Sequence, residues 1–309
     1  MKDFWQNQPK PIIGLAPMDG YTDSAFRRVC KLVNPTIVTF TEFISSDGLH
    51  HSKERLKKKF CFYETEKPLI AQIFGKKVAT FIEAAKILED LGFSGIDLNM
   101  GCPAKNVVKS EHGMALRKNW DLAFELIEAV ASSTSLPVSV KTRLGWSDHT
   151  DLIPFCLGAI NAGANLITIH GRTFKEPYKV PAHFEPIYEL KKVSSVPIIG
   201  NGGILSFEDG MQKLGNLDGF LIGQASLGNP WVFVESKSSP QSFAEKIPII
   251  KEHARFLIEA KGVERGVREI RKFLLLYTRD FYQAKQYRKL LTQVNSLEEI
   301  YHILDILGG

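Results

Sequence analysis

The chain has 309 residues, 44% hydrophobic and 24% charged, with a formal net charge of +5. That composition is ordinary for a globular protein with a sizeable core, and the mild basic excess alone is only a weak pointer to nucleic acid. No apolar run approaches the ~18 residues that span a bilayer, and the start MKDFWQNQPK lacks a signal-peptide apolar region. The four cysteines (Cys30, Cys61, Cys102, Cys156) lie far apart, which argues against a zinc or iron–sulfur site and against a disulfide framework. The expectation is a cytoplasmic protein with no metal and no membrane anchor, acting as a monomer.

In chain order, short apolar and β-branched runs begin at Pro11 (PIIGLA), Thr36 (TIVTFT), Leu69 (LIAQIF), Gly95 (GIDLN), Val138 (VSVKT), Leu166 (LITIH), Pro197 (PIIG) and Asp218 (DGFLIG). Continuous apolar runs of this length suit parallel strands covered on both faces. Helical stripes lie between them. Val78, Phe81, Ile82, Ala85, Leu88 and Leu91 form one, closed by Gly92. Leu152, Ile153, Cys156, Ala159 and Ile160 form another, with Thr150 or Asp151 as its cap, and Ser206 with Asp209 begins a shorter one. Eight strands alternating with helices predict an α/β fold, a (β/α)8 barrel; a doubly wound sheet is the alternative, but no dinucleotide fingerprint accompanies it.

After NPWVF comes SKSSPQS, a polar linker, and from about Phe243 the pattern is helical only. This divides the chain into residues 1–237, the barrel, and residues 238–309, an all-helical C-terminal domain. The helical part is dense in Lys and Arg. Arg265, Arg268 and either Arg271 or Lys272 recur at helical spacing, as in a stripe that tracks a nucleic-acid backbone or, equally, a solvated helix face beside Glu264 and Glu269.

Chemically useful residues fall at the carboxyl ends of the strands, which in a barrel converge on one mouth. They are APMDGYTD after the first strand, Gln72 in the third, Asn99 and Cys102 after the fourth, and Lys141 and Arg143 on the fifth. His170 and Arg172 follow on the sixth, Asn201-Gly202-Gly203 on the seventh and Gly223-Gln224 on the eighth. Cys102 sits between Gly101, which permits a tight or left-handed turn, and Pro103, which fixes the next φ, so the thiol is aimed; otherwise it is a buried apolar filler. The glycines after the last two strands suit a phosphate site, or are plain turns. Lys141, pointing inward, would stabilise an anion in the mouth, or form a structural salt bridge.

In combination, APM, NMGCPAKNVVKSEHGMAL, VKTRLGW, ITIHGRT, PIIGNGGI and IGQASLGNPWVF, in that order, resemble the tRNA-dihydrouridine synthase family. The resemblance runs from about Ile12 to Phe233 and more loosely through the tail. It implies an FMN-binding barrel followed by a helical RNA-binding domain, reducing the carbon-5/carbon-6 double bond of particular uridines in tRNA with NADPH or NADH. It implies that Pro17, Met18 and Asp19 line the flavin and that Gln72 and Lys141 hydrogen-bond its ring, with His170 nearby. Asn201, Gly202, Gly203, Gly223 and Gln224 would hold its phosphate end, and Cys102 would take the place of the acid that protonates the substrate. Asn99, Lys105, Arg143 and Arg172 match positions close to the uridine or its backbone, and Arg268 and Lys272 would contact RNA from the tail.

Two departures stand out. Gly223-Gln224 replaces the family's usual Gly-Arg, which weakens a charge-assisted phosphate contact unless another cation substitutes. Lys179-Val180 stands where small residues are usual. An FMN barrel reductase of a free pyrimidine, similar to dihydroorotate dehydrogenase, is the alternative function, but it gives the helical tail no work.

Overall fold

The computed structural model describes residues 2–51, 60–279, 281 and 286–309. Among the described residues, nine parallel strands are present: β1 Ile12–Leu15, β2 Val38–Phe40, β3 Ile44–Ser45, β4 Leu69–Phe74, β5 Gly95–Asn99, β6 Val138–Arg143, β7 Leu166–His170, β8 Ile198–Asn201 and β9 Gly219–Ile222. The order β2-β1-β9-β8-β7-β6-β5-β4 closes through a β2–β4 pairing, so eight strands make a barrel. Strand β3, absent from the sequence expectation, is a two-residue addition on the far end of β4, its Ile44 in register with Ile73. At that length no periodicity announces it.

The helices around the barrel are α1 Ser24–Val33, α2 Ser46–His51, α3 Val78–Asp90, α4 Lys105–Lys109, α5 Trp120–Ser133, α6 Leu152–Asn161, α7 Glu185–Val193 and α8 Phe207–Gln212. Helix α3 stops where Gly92 takes φ +80°, and Ser206 caps α8 by accepting from the Asp209 N–H, both as the sequence predicts. The cap expected of Asp151 on α6 does not form. Its carboxylate is drawn instead to Arg117, whose buried guanidinium is 2.5 Å away, and a full charge outcompetes a backbone N–H.

Alternation along the strands separates two cores. Outward residues such as Leu69, Ile96, Val140 and Ile167 pack under the helices. Inward residues Ile12, Val38, Phe40, Ile70, Leu166, Ile199 and Leu221 form a second cluster with Trp5, which plugs the amino-terminal end of the barrel. The inward positions nearer the carboxyl ends are polar. The same period-2 alternation that fills the bottom of the barrel with aliphatic groups therefore delivers polar ones to its top.

Beyond the barrel lie α9 Phe243–Lys261, α10 Val263–Tyr277, α11 Arg288–Leu291 and α12 Leu297–Gly308. Of these, α9 and α10 pack on α1: Phe26 stacks on Phe273 at 5.4 Å, and Arg28 lies between the rings of Tyr63 (3.9 Å) and Phe256 (3.6 Å). Lys261 bridges Asp23 at the start of α1 and Glu269 on α10. Residues 280 and 282–285 of the basic stretch fall outside the described residues. Among those described, no helix is long and apolar enough to cross a membrane.

Candidate active site

Parallel pairing fixes which inward side chains are neighbours. Gln72 is in register with Asp97, Asn99 with Lys141, Arg143 with His170, and His170 with Asn201. Residues paired in a parallel ladder point the same way, so these five strands, β4 to β8, build a polar arc at the barrel mouth. It borders a cavity of about 700 Å³.

All eleven residues assigned to a cofactor by sequence line this cavity: Pro17, Met18, Asp19, Gln72, Lys141, His170, Asn201, Gly202, Gly203, Gly223 and Gln224. Cys102, Asn99, Arg143 and Arg172 line it too. Lys105, Arg268 and Lys272 do not. Lys105 opens α4, exposed beyond the rim, and Arg268 is exposed on α10. Lys272, half-exposed on α10, donates to the Gly20 carbonyl and lies 4.8 Å from the Tyr21 ring centroid. Arg271 leaves the stripe altogether, donating to the Val294 carbonyl at 2.7 Å.

The loop after β1 is held from two sides. Thr22 Oγ1 accepts from the Met18 N–H at 3.0 Å, and the Thr22 carbonyl accepts from Arg27, whose guanidinium forms a fully buried pair with Glu66 at 2.6 Å. The Gly20 N–H donates to Glu42 at 2.6 Å. Fixing this turn fixes Pro17, Met18 and Asp19 at the cavity edge.

Cys102 is braced from three directions. Asn99 Oδ1 accepts from the N–H groups of Cys102 (2.9 Å) and Gly101 (3.2 Å). Arg143 Nε donates to the Gly101 carbonyl at 3.0 Å, and the Met114 N–H donates to the Cys102 carbonyl at 3.2 Å. Gly101 is required here for closeness; of the tight or left-handed turn that the sequence suggested, it does not adopt the left-handed form. It is not among the positive-φ residues, and a Cβ on it would fall 3.0 Å from Thr142 Cα. Burial pushes the Cys102 thiol up, with Asp19 adding to the effect and Ala104, Arg143 and Lys141 opposing it. The sulfur therefore carries its proton at neutral pH although cations surround it.

Lys141 donates to Asn201 Oδ1 at 2.9 Å, and Asn201 donates onward to the Leu221 carbonyl at 2.9 Å. Burial pulls the Lys141 ammonium down while the Asp97 carboxylate holds it up; Asp97 itself is raised by burial. His170 is driven well below its ordinary value by burial and by Lys141, Arg143 and Arg172, so it is neutral. Arg172 Nη1 lies 3.0 Å from His170 Nε2, and Arg172 Nε donates to the Val180 carbonyl. The unusual Lys179-Val180 segment thus closes a turn that anchors this guanidinium. Arg172 Nη2 reaches within 3.5 Å of where a Cβ on Gly203 would sit. Gly202 and Gly203 adopt φ +106° and +63°, a turn open to glycine. Exposed Gln224 begins the short 3-10 turn after β9.

Sequence reasoning missed several lining groups. Tyr178 places its ring 5.9 Å from that of His170 and its hydroxyl 3.4 Å from Arg143; only its position in the long loop after β7 hinted at this. Leu276 and Arg279, at the end of α10, also line the cavity, so the tail forms part of the mouth. Nothing local in the sequence signals that.

The family model described as dihydrouridine synthase (Dus) matches residues 14–307. A probable tRNA-dihydrouridine synthase 2 of Bacillus subtilis is 33% identical over 314 residues, covering 98% of this chain and 96% of the relative. A probable tRNA-dihydrouridine synthase of Rickettsia conorii is 34% identical over 294 residues, covering 91% and 88%. Among solved structures, 2-naphthoyl-CoA reductase in complex with 2-naphthoyl-CoA superposes with a TM-score of 0.57 at 10% identity, over 75% of this chain and 52% of the reductase. Morphinone reductase in complex with tetrahydroNAD superposes with a TM-score of 0.50 at 10% identity, over 74% and 86%. At 10% identity those two likenesses show the fold alone. With the family model spanning the barrel and the tail, and relatives a third identical along nearly the whole length, this chain belongs to the dihydrouridine synthase family.

Proposed function

We propose that this chain is a tRNA-dihydrouridine synthase that binds FMN in the barrel mouth, is reduced by NADPH or NADH, and uses Cys102 as the acid that protonates uracil. The observation carrying this reading is that Cys102 and Lys141 line one cavity together with every residue assigned to the flavin.

The residues suit the group. Lys141, Arg143 and Arg172 give the mouth an excess of positive charge, while His170 is neutral, so an anionic ligand is favoured there. Gly202 and Gly203 leave a turn free of side chains, and Arg172 Nη2 lies beside it. We assign the phosphate end to this turn, with Arg172 as the cation that offsets Gln224, and the ring end to Gln72 and Lys141. When bound, reduced flavin supplies hydride to carbon-6 of uracil.

The remaining work falls to the protein. Lys141 and Arg143 stabilise negative charge developing on the uracil oxygen. Cys102 then delivers the proton to carbon-5; burial keeps that proton on sulfur beforehand. A uridine must leave its stack to reach this depth. We divide the chain between 237 and 238, with RNA bound by Arg268 and Lys272 of the helical part, by Lys105 at the barrel rim, and by Asn99, Arg143 and Arg172 nearer the base. A free-pyrimidine reductase is less well supported, because Leu276 and Arg279 extend the helical tail into the cavity wall.

Cys102→Ala tests the assignment. The variant should bind FMN and accept electrons from NADPH while dihydrouridine formation on a tRNA transcript falls by about 10²-fold or more, the scale of a lost general acid. Normal turnover would remove Cys102 from the mechanism.

A further inference from the structure

Beneath the cavity, a single file of hydrogen bonds runs from the barrel interior to the Cys102 loop. Asp97 is fully buried, and its Oδ1 accepts from Ser139 Oγ at 2.6 Å. Its Oδ2 accepts from Gln72 Nε2 at 2.7 Å. Gln72 then presents Oε1 on its other side, where Asn99 Nδ2 donates at 2.9 Å. Asn99 in turn presents Oδ1 to the backbone N–H groups of Cys102 and Gly101.

Both ends of this file are fixed in sense. Backbone N–H groups only donate, so Asn99 must face them with oxygen, Gln72 must face Asn99 with oxygen, and position 97 must accept. Turning either amide over would set donor against donor and acceptor against acceptor, at a cost that favours one arrangement. The pattern is invisible in the sequence, because GIDLN reads as a plain apolar strand.

We propose that Asp97 is a positioning residue for Cys102: as the accepting terminus of the file it sets the amides of Gln72 and Asn99 in the one sense that holds the Cys102 loop closed over its thiol. This rests on Cys102 being the acid. Asp19, Lys141 and Arg143 are the charged groups facing the thiol, and Asp97 acts on it through the amides rather than by direct charge. Toward Asp97 itself the charged neighbour is Lys141. A simple counter-charge to Lys141 is the rival role.

The test is the pH profile of Cys102 alkylation by iodoacetamide in the FMN-loaded protein, read by peptide mass spectrometry so that Cys30, Cys61 and Cys156 are scored separately. Asp97→Leu and Gln72→Leu both cut the file. Each should expose the thiol, lower the midpoint of its profile by about one pH unit and speed its alkylation about tenfold, since burial is what holds it up. Asp97→Asn should keep the wild-type profile, because an amide can turn its oxygen to Gln72 and its nitrogen to Ser139 while the charge is gone. A counter-charge role predicts the opposite: Asp97→Asn shifts like Asp97→Leu and Gln72→Leu does not shift. That result, or unchanged profiles in both leucine variants, overturns the proposal. If Asp97→Leu does not fold, Gln72→Leu and Asp97→Asn still decide it. Failure of the acid assignment would show separately, as dihydrouridine formation by Cys102→Ala.

Discussion

Replacing His253 with phenylalanine should make the protein less sensitive to acid. His253 lies on α9 at the seam with the barrel, fully buried among Phe26, Phe273 and Tyr277, with ring centroids 5.6, 4.4 and 5.9 Å away. Its Nδ1 is 3.0 Å from the Tyr277 hydroxyl, and its Nε2 has no hydrogen-bond partner. Burial pulls the imidazole from 6.5 down to about 3, with Lys261 and Lys272 acting in the same direction and Asp23 against it. Between those values the unfolded chain binds a proton that the folded protein refuses, so stability rises with pH there. The contribution is fully present above pH 6.5 and drains away as pH falls toward about 3. From about pH 7.5 to about pH 5 the linkage relation gives a loss of about 2 kcal/mol from this one group. Urea unfolding at the two pH values measures it. The wild type should lose about 2 kcal/mol more than His253→Phe, while any packing change or unpaired Tyr277 hydroxyl acts at both pH values and cancels. Equal losses would refute the reasoning.

Two further outcomes are expected. Gln224→Arg should tighten FMN binding by about 10- to 100-fold, the value of one hydrogen bond to a charged group, without tightening riboflavin, which lacks the phosphate; flavin fluorescence titration measures both, and an equal gain for riboflavin would place residue 224 elsewhere. Arg268→Gln should make the log–log salt dependence of tRNA binding shallower by about one and leave FMN reduction by NADPH unchanged; an unaltered slope would take α10's exposed face out of the RNA contact.

The barrel was legible because its strands are covered on both faces and so are written as uninterrupted apolar runs. Its mouth was legible because polar residues at the ends of those runs keep the same phase from strand to strand. Where two demands compete for one side chain, the sequence misleads: Asp151 reads as a cap but pairs with Arg117. Gly101 reads as a turn, yet the reason for it is the Thr142 backbone on the neighbouring strand. Groups recruited from a distance leave no local trace. Tyr178, Leu276 and Arg279 reach the cavity because of how a loop and a helix are folded over it.

The end of α10 and the residues just after it supply Leu276 and Arg279 to the cavity, and Lys272, one turn before Leu276, donates to the carbonyl of Gly20 in the loop after β1. Cutting the chain after the barrel would thus breach a wall as well as discard the tail proposed to grip RNA, and an isolated barrel would be a vessel open on one side. Any displacement of this helix therefore bears directly on the shape of the chamber it helps to wall.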